Sequence, residues 1–200
     1  MKVLIVGAGG IGSWLVHELL QDEIKRTQLP GVHFTVADDD HVEQRNVLYQ
    51  NFDQDQARIM QPKVEALAEL YDIDEIIQDR IEDPAQLQGY DVVISCVDNV
   101  QFRRMLFANQ EQVPYWIDLR AEGRVAMIYN KADAHTTEWM NSVTKEPKNP
   151  ENANRGCALP GDLAQGRLQY GNRFAALMGA QALLNHVREV RAVYREFLRI

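Results

Sequence analysis

The segment "KVLIVGAGGIGSWLVHELLQDEIKR", residues 2–26, decides the fold. "KVLIV", 2–6, is a short apolar, β-branched run without polar alternation, the pattern of a buried parallel strand. "GAGGIG", 7–12, supplies a tight turn, and "IGSWLVHELLQDEIKR", 11–26, reads as a helix. Gly7, Gly9 and Gly12 thus match G-x-G-x-x-G directly after a strand and before a helix. In that context the glycines let the backbone approach a phosphate, and the helix N-terminus adds amide donors and positive potential. Gly10 makes the pattern GxGGxG, which by itself does not choose between a dinucleotide and ATP. The alternative is a merely structural turn.

Outward from this segment, strand and helix patterns alternate. "HFTVA", 33–37, is a second strand. "DQARIMQPKVEALAELYD", 55–72, shows helical spacing, with Ile59, Val64, Leu67 and Leu70 on one face and Pro62 in a first turn. "EIIQDRI", 75–81, is a third strand, "YDVVISCV", 90–97, a buried fourth, and "NVQFRRMLFANQEQ", 99–112, a helix. "PYWIDLRA" and "GRVAMIYN" are two strands joined closely enough to predict an antiparallel end to the sheet. Residues 131–170 read as a long polar loop, and "NRFAALMGAQALLNHVREVRAVYREFL", 172–198, as a final long helix. The order predicts one α/β domain over 1–200, with a Rossmann-like, doubly wound, mostly parallel sheet.

Composition bounds the function. At 46% hydrophobic and 25% charged, the 200 residues can bury a proper core. A net charge of −8 argues against non-specific binding to nucleic acid or to an anionic membrane. Two cysteines, Cys96 and Cys157, make neither a disulfide framework nor a four-cysteine zinc site. A reducing, cytoplasmic location and no zinc are the expectations.

Several side chains then ask for a ligand. "DDD", 38–40, places three carboxylates at the end of the second strand, where one can accept ribose hydroxyls; a solvated turn suffices for Asp39. Lys63 in "QPK" opens a helix, where a cation is unfavourable unless an anion shares the site. A phosphate contact and an exposed surface lysine are its two readings. Asp98 in "SCVDN" follows the fourth strand and could hold Mg²⁺ beside phosphate oxygens or cap the next helix. Cys96 reads as a small core residue.

Together, "GAGGIG", "DDDHVEQRNVLYQNF", "QPK" and "CVDNVQFR" resemble, in order, the ThiF/MoeB/HesA family of adenylating enzymes related to the ubiquitin-activating enzymes. The resemblance runs from residue 1 to about 130 and resumes in the final helix. It implies adenylation, by ATP, of the C-terminal carboxylate of a ubiquitin-like or sulfur-carrier protein or a peptide. It further implies that Asp38 binds ribose, that Asn46 and Lys63 contact phosphates, that Asp98 coordinates Mg²⁺ and that Arg103 belongs to a "DNxxxR" helix. A homodimer is implied too, with the antiparallel end of the sheet as its contact.

Where the family reads Arg-Gln, this chain reads Tyr49-Gln50. Arg45, Arg58 and Arg104 are the candidates to compensate. An arginine-bearing helix ahead of the first strand is also expected of the family's bacterial enzymes, and the sequence shows none. Cys157, in "NRGCALPGD", lies where thioester-forming members place their cysteine, so it is either a thioester nucleophile or an ordinary loop cysteine. Two rival functions remain: a non-catalytic nucleotide-binding subunit partnering an active homologue, and a nicotinamide-dependent dehydrogenase. The dehydrogenase reading leaves "QPK" and "VDNVQFR" without a role.

Overall fold

The computed structural model describes residues 1–133 and 169–190, with 140–141, 161, 164–165 and 198–199. Its elements follow the chain as β1 (Lys2–Val6), α1 (Gly12–Leu20), α2 (Asp22–Gln28), β2 (His33–Ala37), α3 (Gln54–Arg58), α4 (Lys63–Ala68) and β3 (Glu75–Ile77). A short 3-10 turn (Pro84–Leu87) precedes β4 (Val92–Ser95), α5 (Val100–Ala108), β5 (Tyr115–Glu122), β6 (Val125–Asn130), α6 (Gly171–Val187) and β7 (Leu198–Arg199). The strands form one sheet in the order β3-β2-β1-β4-β5-β6-β7. Neighbours from β3 through β5 are parallel. β6 runs antiparallel to β5, and β7 to β6. The α/β class and the antiparallel end therefore stand as expected.

Each central strand is apolar on both sides because each side meets a different layer. Val3 and Ile5 join Phe34, Val36, Ile94, Ile117 and Leu119 in a core shared with α1, α4 and α6. Leu4 and Val6 face the other way, with Val93 and Trp116, against Phe102 and Leu106 of α5. The period-two alternation of a strand thus feeds two cores at once.

Four elements differ from expectation. The helix predicted from residue 11 is two helices, because Gln21 adopts ψ 132° and α2 restarts with Asp22 and Glu23 in its first turn. The helical spacing read over 55–72 covers two helices, of which the second opens at Lys63, as its place in "QPK" predicts. Pro62 has no N–H to continue the ladder and pushes its predecessor out of helical conformation. α3 accordingly ends at Arg58, Met60 takes φ 50°, and α4 begins at Lys63. The apolar face splits with it: Val64 and Leu67 are buried, whereas Ile59 is 65% and Leu70 56% exposed. β3 is only three residues, since Asp79 and Arg80 of the predicted strand bend away into the cavity wall. The last helix ends at Val187, followed by Glu189 at φ 55°, and Leu198–Arg199 pairs with β6.

Candidate functional site

A cavity of about 1050 Å³ opens at the carboxyl ends of β1, β2 and β4. This is where the strand order reverses, the position at which open α/β sheets bind ligands. Its floor is the glycine turn. Gly7 sits at φ +95°, a conformation costly for any residue with a Cβ, and its N–H donates to the Ala37 carbonyl at 2.8 Å. Gly7, Gly9 and Gly10 line the cavity. Gly12 does not; it lets α1 pack on the turn, with its Cα side directly against the Gly7 carbonyl.

The acidic loop after β2 is tied to that floor. The Ala8 N–H donates to Asp38 Oδ2 at 2.6 Å, and the Asp40 N–H donates to Asp38 Oδ1 at 2.8 Å. Burial pushes the Asp38 carboxyl above its ordinary value, while the Lys63 charge and these two N–H donors pull it back. The side chain is thus both a brace for the turn and a largely desolvated acceptor on the cavity wall.

Lys63 enters by backbone pairing. The Val42 N–H donates to the Gln61 carbonyl at 2.8 Å and the Lys63 N–H to the Asp40 carbonyl at 3.0 Å. These contacts lay "QPK" against the acidic loop, and Pro62 makes Lys63 the first residue of α4. Lys63 is only 5% exposed, and its Nζ lies 2.7 Å from Asp40 Oδ2 and 4.0 Å from Asp38 Oδ1. The surface-lysine reading is excluded. Asp39 is no bare solvated turn either, because Arg80 donates to it through Nε at 2.7 Å. Arg80 went unnoticed in the sequence; its signal would have been a lone arginine just after a strand end.

The polar run 43–52 forms the opposite wall. Asn46 is buried, its Oδ1 accepts from the Glu43 N–H at 2.8 Å, and its Nδ2 stands 3.5 Å from the Tyr49 hydroxyl. Trp14 of α1 anchors this wall by donating to the Tyr49 carbonyl at 3.1 Å. Of the candidate compensating arginines, Arg45 and Arg104 line the cavity, whereas Arg58 pairs with Asp55 on α3 and does not. Arg45 is itself paired with Glu43 at 2.8 Å.

Asp98 lies on the rim, exposed, and makes no hydrogen bond or ion pair among the described residues. The helix-cap alternative falls to its neighbour: Asn99 caps α5, accepting from the Phe102 N–H at 2.9 Å. The Asp98 carboxylate is thus left unengaged among the described residues, at the cavity rim. Arg103 is not among the cavity-lining side chains. Its Nε donates to Asp118 at 3.2 Å and its Nη2 to the Val97 carbonyl at 2.5 Å. Cys96 is buried in the core, as its sequence context predicts. Cys157 lies outside the described residues.

The arrangement can receive a polyanion with a sugar. Gly9 leaves open space beyond its Cα, Asp38 offers an acceptor, Lys63 a buried cation, and Asp98 an uncommitted carboxylate facing the same cavity. One carboxylate suffices for Mg²⁺ when substrate phosphates and water complete its octahedron.

A search of curated proteins gave no match. Among solved structures, E. coli tRNA N6-threonylcarbamoyladenosine dehydratase, TcdA, in complex with AMP, is similar at 18% identity and TM-score 0.63, over 95% of this chain and 88% of that one. The microcin C7 biosynthetic enzyme MccB, in complex with N-formylated MccA, is similar at 17% identity and TM-score 0.64, over 95% and 58%. PaaA is similar at 13% identity and TM-score 0.60, over 96% and 57%. The chain thus spans a little over half the length of MccB and PaaA. These likenesses establish the fold, and the ThiF family model matches residues 1–194, site included: the chain belongs to the ThiF family.

Proposed function

We propose that the protein uses ATP to adenylate the C-terminal carboxylate of a ubiquitin-like or sulfur-carrier protein or of a peptide. The observation that carries this reading is Lys63, an ammonium withdrawn from water at the wall of the cavity, beside the glycine turn. Burying a cation is costly unless charge meets it; Asp40 meets this one at 2.7 Å, and a triphosphate in the cavity would bring further negative charge to the same wall. Nucleotides and a peptide occupy related folds: TcdA is in complex with AMP, and MccB with ATP or with N-formylated MccA.

In the proposed step a carboxylate oxygen attacks the α-phosphorus. The bond from that phosphorus to the bridging oxygen breaks, and pyrophosphate departs with the electron pair. Asp38 accepts from the ribose hydroxyls and holds the nucleoside end still. Gly9 and Gly10 bring backbone up to the phosphates. Lys63 and the polar Asn46 wall lie on the phosphate side, where Lys63 offsets the charge that develops in the transition state. Asp98 would hold Mg²⁺, which when bound polarises phosphoryl oxygens and screens the leaving group. Attack of the Cys157 thiolate on the acyl adenylate, which forms a thioester and releases AMP, and a homodimer that completes the site belong to the same proposal, as does a cytoplasmic setting. Among the described residues no helix is long and apolar enough to cross a membrane.

A second reading has one observation in its favour. Tyr49 stands where the family carries an arginine and turns its hydroxyl toward Asn46 rather than offering a charge. That favours a subunit which binds nucleotide without turnover. Calorimetry with ATP plus Mg²⁺, and separately with NAD, tests binding, and ATP–pyrophosphate exchange tests chemistry. Binding and exchange with ATP support adenylation, and binding without exchange favours the non-catalytic subunit. Tight NAD binding with no ATP binding would restore the dehydrogenase and end the proposal.

A further inference from the structure

Asp118 entered no sequence reading, yet it is fully buried, at 0% exposure. Register explains its place. In the parallel pair β4–β5, Asp118 is the partner of Ser95, the last residue of β4, so it stands level with the point where the chain leaves the sheet for Asp98. Two arginines converge on it. Arg103 of α5 reaches Oδ1 through Nε at 3.2 Å, and Arg120, two residues along β5, reaches Oδ2 through Nη2 at 2.6 Å and Nε at 2.9 Å. Arg120 also lies over the Tyr129 ring, 5.0 Å from its centroid, which fixes it from β6. Arg103 then spends its remaining reach on the Val97 carbonyl, one residue before Asp98.

Stability alone does not demand this cluster. A buried ion pair is often no more stable than apolar residues of the same volume, because desolvation offsets its attraction. What an arginine fork adds is direction: its planar, rigid set of donors holds a carboxylate and a carbonyl in a fixed mutual geometry, whereas an ammonium is a point charge on a flexible stem. The Asp98 carboxylate itself has no partner among the described residues, so its position depends on the backbone that carries it.

We infer that Asp118 is a positioning residue which, through Arg103, holds the Val97–Asp98 turn so that the Asp98 carboxylate faces the nucleotide-bound metal. The inference rests on the adenylation reading for its purpose, while the brace itself is read without any ligand. Arg103→Lys and Asp118→Asn are made in the full chain, with Arg120→Lys as the control that keeps a cation beside Asp118 and leaves Arg103 in place.

Backbone ¹⁵N relaxation comes first. Order parameters at Asp98 and Asn99 are expected near about 0.85 in the parent and below about 0.6 in Arg103→Lys and Asp118→Asn, with Gly9 and Gly10 unchanged. Arg120→Lys should stay close to the parent. Order parameters unchanged in a folded Arg103→Lys overturn the brace, even if Asp118→Asn does not fold. ATP titration with and without Mg²⁺ comes second. The factor by which Mg²⁺ tightens ATP should fall at least tenfold in the brace variants, while metal-free ATP binding moves less than twofold. A Mg²⁺ effect equal to the parent's in a variant with a loosened turn overturns the positioning role. A parent that binds no ATP sinks the adenylation reading alone, and the relaxation data still decide the brace.

Discussion

Gly9 and Gly12 belong to one motif, and the structure assigns them opposite jobs that two methyl groups can separate. A Cβ at Gly12 would stand 1.8 Å from the Gly7 carbonyl oxygen, 2.8 Å from its carbonyl carbon and 3.4 Å from Cys96 Cβ. Comfortable contacts between carbon atoms lie at about 3.5–4.0 Å. Both nearest atoms are backbone in a turn already held at positive φ, so no side chain can swing aside. Helix α1 must retreat, carrying Leu15, Val16 and Leu19 out of register with the core. Overpacking of this kind costs about 1–3 kcal/mol and occasionally more, and rigid backbone on both sides argues for the upper end. At roughly 2–4 °C per kcal/mol for a chain of this size, Gly12→Ala should lower Tm by roughly 6–12 °C. At Gly9 a Cβ meets nothing within 4 Å. Gly9→Ala should hold or raise stability by up to about 1 kcal/mol, since alanine has less conformational freedom to lose. The same methyl projects into the space a phosphate needs, so ATP affinity should drop at least tenfold, about 1.4 kcal/mol. Differential scanning fluorimetry and calorimetry on the two variants read both quantities. A Gly12→Ala protein as stable as the parent, or a Gly9→Ala protein that binds ATP equally well, would refute this division of labour.

Lys63→Ala should cut pyrophosphate exchange by about 10²–10³-fold, the usual consequence of removing one charge-stabilising donor; a rate within threefold of the parent would remove Lys63 from the chemistry. Burial raises the Asp38 pKa above its ordinary value, with Lys63 and two N–H donors opposing the shift. Protonation removes its charge and turns one acceptor oxygen into a donor, so ATP binding should weaken as pH falls through that raised pKa, and calorimetry across pH should find this acid limb gone from the already weakened Asp38→Asn. His186 stacks on Tyr115 at 3.9 Å, and burial holds its pKa below 6.5 against the pull of Asp91. The unfolded chain therefore takes the proton more readily, and this contribution to stability is complete above about pH 6.5 and lost as pH falls toward the lower folded pKa. His186→Phe should keep the stack and narrow the Tm difference between about pH 5 and about pH 7.5; an unchanged difference would assign the acid sensitivity elsewhere.

The sequence by itself determined whatever follows from local pattern. β1, the glycine turn and α1 were legible because apolar runs, glycines and helical spacing act over a few residues, and the close link between β5 and β6 announced their antiparallel pairing. Candidate ligand residues Asp38, Asn46, Lys63 and Asp98 were legible as residue types at strand ends and helix starts, and all four line one cavity. Tertiary structure alone decided what each does there. Periodicity carried a helix straight through Gln21, where backbone geometry breaks it. Spacing could not tell that Gly12 packs while Gly9 faces the open cavity, since the distinction lies in what stands opposite each Cα. Nor could it pair Arg80 with Asp39 or Arg103 with Asp118, partners 41 and 15 residues apart along the chain. Charge pairing depends on distance in space, and only the parallel register of β4 and β5 brings Asp118 level with the end of β4, within reach of the arginine that holds the turn before Asp98.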